Sequence, residues 1–321
     1  MSDEIGRCVV PPRASSDSFE RAAAVFGRRR AALKVIYDVA APAKLNMFLH
    51  VVGRRADGYH LLQSLFVLID WSDTLHFERR TDGRLTRHDL GPALPPDDLC
   101  LRAARLLQSK SGTALGADIS IDKSVPWGAG MGGGSSDAAS TLLALNRMWG
   151  LNWPRARLLA LGLELGADVP FFVGGRNAIV EGIGERLTPA PVPEQWLAVV
   201  KPPASIETST VFASPLLVRH TEPATLESFA ANAGQQVVEA GFGGNDLQAA
   251  AESECAQVVQ AASILRRQFG NSRMTGSGSA VFARAGTAPK PSAGMPALAS
   301  GETGRMCRSL SVHPLVGWAA D

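Results

Sequence analysis

Apolar and polar positions alternate near the start of the chain and then change period. AKLNMFLHVVG (43–53) predicts a β-strand with Leu45, Met47 and Leu49 on one face. Turn-forming RRADG follows, and YHLLQSLFVLID and DTLHFERR read as further strands of a meander. DDLCLRAARLLQSK shifts to a helical period, with Asp97 or Asp98 as N-cap and an apolar stripe of Leu99, Ala103, Leu106 and Leu107. ADISIDKSVP alternates again and predicts a half-buried strand. SSDAASTLLALNRMWGL predicts an amphipathic helix that opens on serine or aspartate. PRARLLALGLELGA predicts another, with Pro154 suited to its first turn. Beyond DVPFFVGG, strands are expected at NAIVEGIGE and WLAVVKP, a helix at about 251–269, and a strand–turn–strand at RMTGSGSAVFARA. GTAPKPSAGMPALASGETG reads as a loop or a poorly formed helix.

Composition narrows this picture. A chain of 321 residues suggests roughly two domains of about 150 residues each. The proline-rich TPAPVPEQ (188–195) marks a boundary, which gives domains at 37–192 and 193–315 and a tail at 316–321. Residues 1–36 are basic and rich in small side chains, and read as a disordered leader or an over-long start. Within them FERAAAVFGRRRAALKVI has the composition of a short basic helix. A transit peptide is disfavoured by Asp3, Glu4, Asp17 and Glu20. The formal charge of +2 argues for neither a nucleic-acid surface nor an acidic tail. Cys8, Cys100, Cys255 and Cys307 are widely spaced without a C-x-x-C pair, which speaks against a zinc site and for reduced thiols in a cytoplasm. No apolar run approaches the ~18 residues of a membrane span. The partners expected are therefore small molecules, with no nucleic acid and no membrane; monomer and homodimer both stay open.

The candidate chemistry centres on VPWGAGMGGGSSDAA (125–139). A glycine-rich loop that enters a helix offers unpaired N–H groups and the positive end of the helix dipole, and so forms an anion site. A Walker A loop needs a lysine beside Ser135, and none stands there. Gly128, Gly130 and Gly133 spell the dinucleotide fingerprint. However, the preceding strand alternates, Pro126 interrupts its end, and Trp153 occupies the position where an acid is wanted. A phosphate cradle fits better: Pro126 leads into glycines and then Ser135 and Ser136, either of which can give a hydroxyl to phosphate or to Mg²⁺. A tightly packed glycine turn is the bland alternative.

With APAKLNMFLHVVGRRADGYH (41–60), SIDKSVPWGAGMGGGSSDAA (120–139), LGADVPFF (165–172) and MTGSGSAVFA (274–283), the chain resembles the GHMP kinases over about residues 41–314. ADGYH beside PAKLN resembles the branch of that superfamily that acts on 4-diphosphocytidyl-2-C-methyl-D-erythritol. The resemblance implies an α+β fold of two domains. One is an N-terminal kinase domain like the second domain of ribosomal protein S5, the other a C-terminal ferredoxin-like domain, and the active site lies between them. It also implies ATP and Mg²⁺, with transfer of the γ-phosphate to the acceptor's 2-hydroxyl in the non-mevalonate isoprenoid precursor pathway.

Particular residues carry these expectations. A lysine inside an apolar strand, Lys44, needs a partner or an edge open to water. Asp168 reads either as a turn aspartate or, by resemblance, as the catalytic base beside Lys44. The resemblance assigns the ATP phosphates to Pro126, Trp127, Gly128, Ala129, Gly130, Met131, Gly132, Gly133, Gly134, Ser135 and Ser136, and places Lys123 near adenine and ribose. On the acceptor it sets Asn46, Thr208 near the diphosphate, Tyr59 and Phe212 around the cytosine ring, and His60 at the ring's edge. For His60 and Phe212 ordinary packing is the alternative, and for Lys123 an exposed strand end. TGSGS (275–279) is a tight hairpin or, by resemblance, closes the site. Asp137 beside phosphates calls for a lysine or Mg²⁺ nearby. The rival functions are another GHMP kinase, a nicotinamide-dependent oxidoreductase and a catalytically dead nucleotide-binding protein.

Overall fold

The computed structural model describes residues 33–224, 243–287 and 289–321. Most of the 1–36 leader and the start of its expected basic helix lie outside them. The last residues of that helix, Val35 and Ile36, instead open β1 (Val35–Arg54). β1 pairs antiparallel with β2 (His60–Arg80) across the RRADG turn. The two strands expected after that turn are therefore one. The polar break at Asp70–Asp73 does not end β2, because Trp71 is buried and the Asp73 carboxyl accepts hydrogen bonds from the N–H groups of Ser124 and Val125 (2.7 Å each).

β3 (Leu85–Asp89), α1 (Leu99–Ser111) and β4 (Gly116–Asp122) follow, with β3 parallel to β4. Asp98 is the N-cap of α1, and its side chain accepts from Leu101 N–H at 3.0 Å. α2 (Gly133–Met148) begins earlier than its sequence signal. Its N-cap is Gly132 in the left-handed region, not a serine or aspartate, and the helix takes in two glycines. α3 (Arg155–Leu165) is capped by Pro154, and α4 (Val169–Gly174) is a short helix capped by Asp168. β5 (Ala178–Gly182), β6 (Arg186–Pro189), β7 (Gln195–Lys201) and α5 (Thr208–Ala213) come next. The single helix expected at 251–269 is two, α6 (Gln248–Glu254) and α7 (Ala256–Phe269), broken at Cys255 in an extended conformation. β8 (Arg273–Met274), β9 (Val281–Thr287) and β10 (Thr303–Leu310) complete the sheet.

The length of β2 organises the molecule. β4 pairs along its second half, β5 along its first, and β10 at Leu68 and Ile69. β10 then pairs with β7, which continues through β9 to β8. One apolar cluster joins the sheet to α1 through α4, and another joins β7 and β9 to α6 and α7. α2 is buried over most of its surface, because its alanines and serines let it approach β1: the Ser140 hydroxyl donates to Ala40 O (3.0 Å) and that of Ser136 to Pro42 O (2.7 Å). In β1 the expected face is interrupted. A bulge between Asn46 and Leu49 leaves Leu45 and Met47 in one cluster and sends Leu49 to another.

Candidate active site

The loop before α2 divides two cavities. A 440 Å³ cavity opens over Pro126–Ser135 and is also lined by Lys123, Asp137, Asp98 and Leu94. A 310 Å³ cavity on the other side is lined by Lys44, Asn46, Asp168, Thr208, Phe212 and the 276–278 turn. Gly128, Gly130 and Gly132 face both. Two of these glycines are obligatory. Gly130 and Gly132 each have φ of +71°; a Cβ on Gly130 would fall 2.3 Å from Thr275 O, and one on Gly132 would fall 3.0 Å from the Phe172 ring and 3.3 Å from Lys44 Cε.

The first helical bond of α2 runs from Ser136 N–H to Gly132 O, so the N–H groups of Gly133, Gly134 and Ser135 have no partner within the helix. With the helix dipole behind them they form an anion cradle. Ser135 lines this cavity. Ser136 does not: it is fully buried and its hydroxyl serves Pro42 O, which corrects its expected contact with phosphate.

The loop is fastened on both sides. Lys44 N–H donates to Met131 O (2.9 Å), and the N–H groups of Ser279 and Ala280 donate to Gly128 O and Ala129 O (3.3 and 3.2 Å). TGSGS is thus both the β8–β9 turn and the piece that packs on the glycine loop. Thr275, the first residue of TGSGS, accepts from Asn46 N–H (2.9 Å) and donates to Asn46 Oδ1 (3.2 Å).

Lys44 and Asp168 meet across the second cavity, with Lys44 Nζ 3.5 Å from Asp168 Oδ2. Asp168 keeps 30% of its side-chain surface exposed, whereas Lys44 is buried. Lys44 Nζ also donates to Asn46 Oδ1 (2.6 Å) and lies 4.4 Å from the centre of the Phe66 ring. Burial pulls the Lys44 pKa below the usual lysine value, and the Asp168 carboxylate opposes that shift. One amide hydrogen of Asn46 goes to Ser64 Oγ (2.9 Å), so Asn46 orients the lysine as much as it faces the cavity.

Lys123 has a different environment. Its ammonium donates to Asp73 Oδ2 and to Asp137 Oδ2 (2.6 Å). Burial lowers the Lys123 pKa and the two carboxylates outweigh it, for a net rise. Asp137 is pushed up to about 8, first by burial and further by Asp73, against the pull of Lys123. Its Oδ1 is buried without a partner. The lysine that Asp137 required is therefore present. The partner that sequence reasoning missed was Asp73, whose only signal was an acid inside an apolar strand.

The acceptor-side residues converge unevenly. Phe212 lines the cavity, and the Thr208 hydroxyl sits 2.8 Å from that of Ser277. The His60 ring stacks on Phe212, with centroids 4.9 Å apart and planes at 25°. Its Nε2 is buried without a partner, and burial lowers its pKa. Tyr59 is 64% exposed and lines neither cavity.

Comparison with known proteins adds the following. Residues 98–176 match the family model for the GHMP kinases N terminal domain. A 4-diphosphocytidyl-2-C-methyl-D-erythritol kinase from Methylibium petroleiphilum is 66% identical over 290 residues, covering 89% of this chain and 99% of that protein. One from Albidiferax ferrireducens is 54% identical, covering 90% and 97%. Among solved structures, a 4-(cytidine 5'-diphospho)-2C-methyl-D-erythritol kinase superposes with a TM-score of 0.66 at 34% identity, covering 77% of this chain and 90% of its own. A homoserine kinase from Cytophaga hutchinsonii shares the fold, with a TM-score of 0.61 at 16% identity, 81% of this chain and 87% of its own.

Proposed function

The chain belongs to the 4-diphosphocytidyl-2-C-methyl-D-erythritol kinases of the GHMP kinase family, and from this premise we propose how its residues divide the work of phosphoryl transfer. It transfers the γ-phosphate of ATP to the 2-hydroxyl of 4-diphosphocytidyl-2-C-methyl-D-erythritol, a step towards isoprenoid precursors. The observation that carries the assignment of roles is the 3.5 Å approach of Lys44 to Asp168 in a cavity whose wall is the glycine loop.

Phosphoryl transfer needs an aligned hydroxyl, a destination for its proton and neutralisation of the charge on the transferred group. Asp168 accepts the proton of the 2-hydroxyl while the new oxygen–phosphorus bond forms and the bond to the ADP bridging oxygen breaks. Lys44, beside that carboxylate, balances charge on the attacking oxygen. The N–H groups of Gly133, Gly134 and Ser135 receive phosphate oxygens from the other cavity. Gly128, Gly130 and Gly132, shared by both cavities, mark the passage through which the two substrates meet.

Among the described residues no group of three His, Cys, Asp or Glu side chains can hold a metal by itself. Two oxygens still suit a hard cation carried by the triphosphate: the Ser135 hydroxyl and Asp137 Oδ1, in side chains that line the ATP cavity. Mg²⁺ bound there would supply charge neutralisation of the triphosphate. On the acceptor side, Phe212, His60 and Tyr59 form the cytosine-reading group, and Thr208 faces the diphosphate. A division into an ATP-binding part at 37–192 and a second part at 193–315 suits this reading. The first supplies Lys44, Asp168 and the loop; the second supplies Thr208, Phe212 and the 275–279 turn. Cys100, Cys255 and Cys307 are free thiols, which supports a reducing cytoplasm as its place. No helix among the described residues is long and apolar enough to cross a membrane.

An ADP-release assay tests the substrate: the cytidyl alcohol is turned over, and mevalonate, homoserine and galactose are not. No turnover of the cytidyl substrate, or equal turnover of another alcohol, contradicts the reading.

A further inference from the structure

Arg155 opens α3, is buried, and touches neither cavity. Its guanidinium nevertheless spends its hydrogens on one place. Nη1 donates to Val173 O (2.6 Å), Nη2 to Ala319 O (3.0 Å) and Val316 O, and Nε to Asp321 Oδ1, while its backbone N–H donates to Ala320 O (2.7 Å). Val173 lies at the end of α4, the helix that Asp168 caps.

A helix of six residues has no stability of its own. Its direction is set by what holds its two ends. At the Asp168 end, Val169 N–H donates to Gly166 O (3.2 Å), and α3 comes so close that a Cβ on Gly162 would stand 3.1 Å from Val169. At the far end, Arg155 binds Val173 O and His313 N–H binds Gly175 O (2.9 Å). Leu315 and Ala319 fill the same apolar cluster as Phe171 and Phe172. Residues 313–321 and Arg155 thus form one brace on α4. The opposite end of that helix carries a carboxylate at a slack 3.5 Å from its lysine, where a small tilt changes the contact.

We propose that Arg155, with the 313–321 segment it binds, is a positioning residue that holds α4 so that Asp168 reaches Lys44 and the acceptor hydroxyl. The proposal rests on the reading of Asp168 as proton acceptor. A displacement of about 1 Å at a reacting group costs up to about a hundredfold in rate, so an effect of about tenfold is expected when one end of α4 is released.

The test measures kcat and KM for Arg155→Ala, Arg155→Lys and Asp321→Ala, each well below its melting temperature, and for Arg155→Ala combined with Asp168→Asn. Arg155→Ala should lose about tenfold in kcat with both KM values unchanged. Arg155→Lys and Asp321→Ala should lose less, and free guanidinium ion should restore part of the Arg155→Ala loss. Added to Asp168→Asn, Arg155→Ala should cost nothing further, because both act through one carboxyl. Wild-type kcat in the folded Arg155 variants, or losses that multiply in the double variant, overturns the proposal. If Arg155→Ala does not fold, Arg155→Lys decides, and a wild-type kcat there overturns it. A wild-type kcat in Asp168→Asn alone would strike the proton-acceptor reading itself, and the positioning role with it.

Discussion

Two lysine–carboxylate clusters stand on opposite sides of the glycine loop, and they are built in opposite ways. Lys123 is pinned between Asp73 and Asp137 at hydrogen-bonding distance, in a site where Asp73 is fully buried. Lys44 has one carboxylate, farther off at 3.5 Å and 30% exposed at a cavity wall. Carboxylates dominate the first lysine and raise its pKa; burial dominates the second and lowers it. A lysine whose hydrogens are taken up by two carboxyl groups at hydrogen-bonding distance has little left to offer a reacting oxygen. One under-supplied with counter-charge is poised for the charge that develops in a transition state. On the proposed division of work, the first cluster secures the wall of the cavity over the glycine loop, and the second carries the proton transfer.

Exchanging each lysine for an isosteric apolar side chain separates these roles. The largest effect is expected for Lys123→Met, which leaves buried carboxyls without their cation. Unfolding by urea should show a loss of about 3–5 kcal/mol. Lys44→Met should reverse the pattern, with kcat falling about a hundredfold and a smaller change in the urea midpoint, since the strand around it is apolar. Equal stability losses in the two variants would erase the contrast.

Asp137 sharpens the comparison through pH. Its carboxyl is pushed up to about 8 in the folded protein, whereas in the unfolded chain it titrates near 4. The folded state then holds the extra proton between those values. The site's contribution to stability is full below about pH 4 and is lost as pH rises towards about 8. Asp137→Asn removes that slope, so the melting temperature of the variant should gain on the wild type between about pH 5 and 8. A constant gap across that range would contradict the assignment. The smallest effects belong to the acceptor-side aromatics. Phe212→Leu and Tyr59→Ala should each raise KM for the cytidyl substrate by about five- to tenfold, corresponding to about 1 kcal/mol of base stacking, with KM for ATP unchanged. A smaller effect at Tyr59 than at Phe212 would match its exposed position outside the cavity.

The Lys44–Asp168 pair and the glycine loop were legible as candidates because local chemistry marked them: a lysine in an apolar strand, an aspartate before PFF, a run of glycines before a helix. What escaped depends on distant partners. Lys123 reads as an exposed strand end until Asp73, fifty residues away, closes on it. Two strands were expected where β2 is continuous, because the polar Asp70–Asp73 stretch imitates a turn while its acid is satisfied by N–H groups from another segment. The break between α6 and α7 falls on Cys255, with no glycine or proline to announce it. Ser135 and Ser136 look equivalent in sequence, and only the packing of α2 on β1 turns Ser136 inward. Residues 316–321 looked like a tail, yet Arg155 binds three of their backbone or side-chain oxygens besides Val316.

The most direct test is the single-turnover rate of Asp168→Asn with both substrates saturating, alongside calorimetric Kd values for each. If the carboxylate beside Lys44 takes the hydroxyl proton, the rate falls by about a hundredfold or more while both Kd values stay within about twofold. A rate close to wild type with both substrates bound would contradict it.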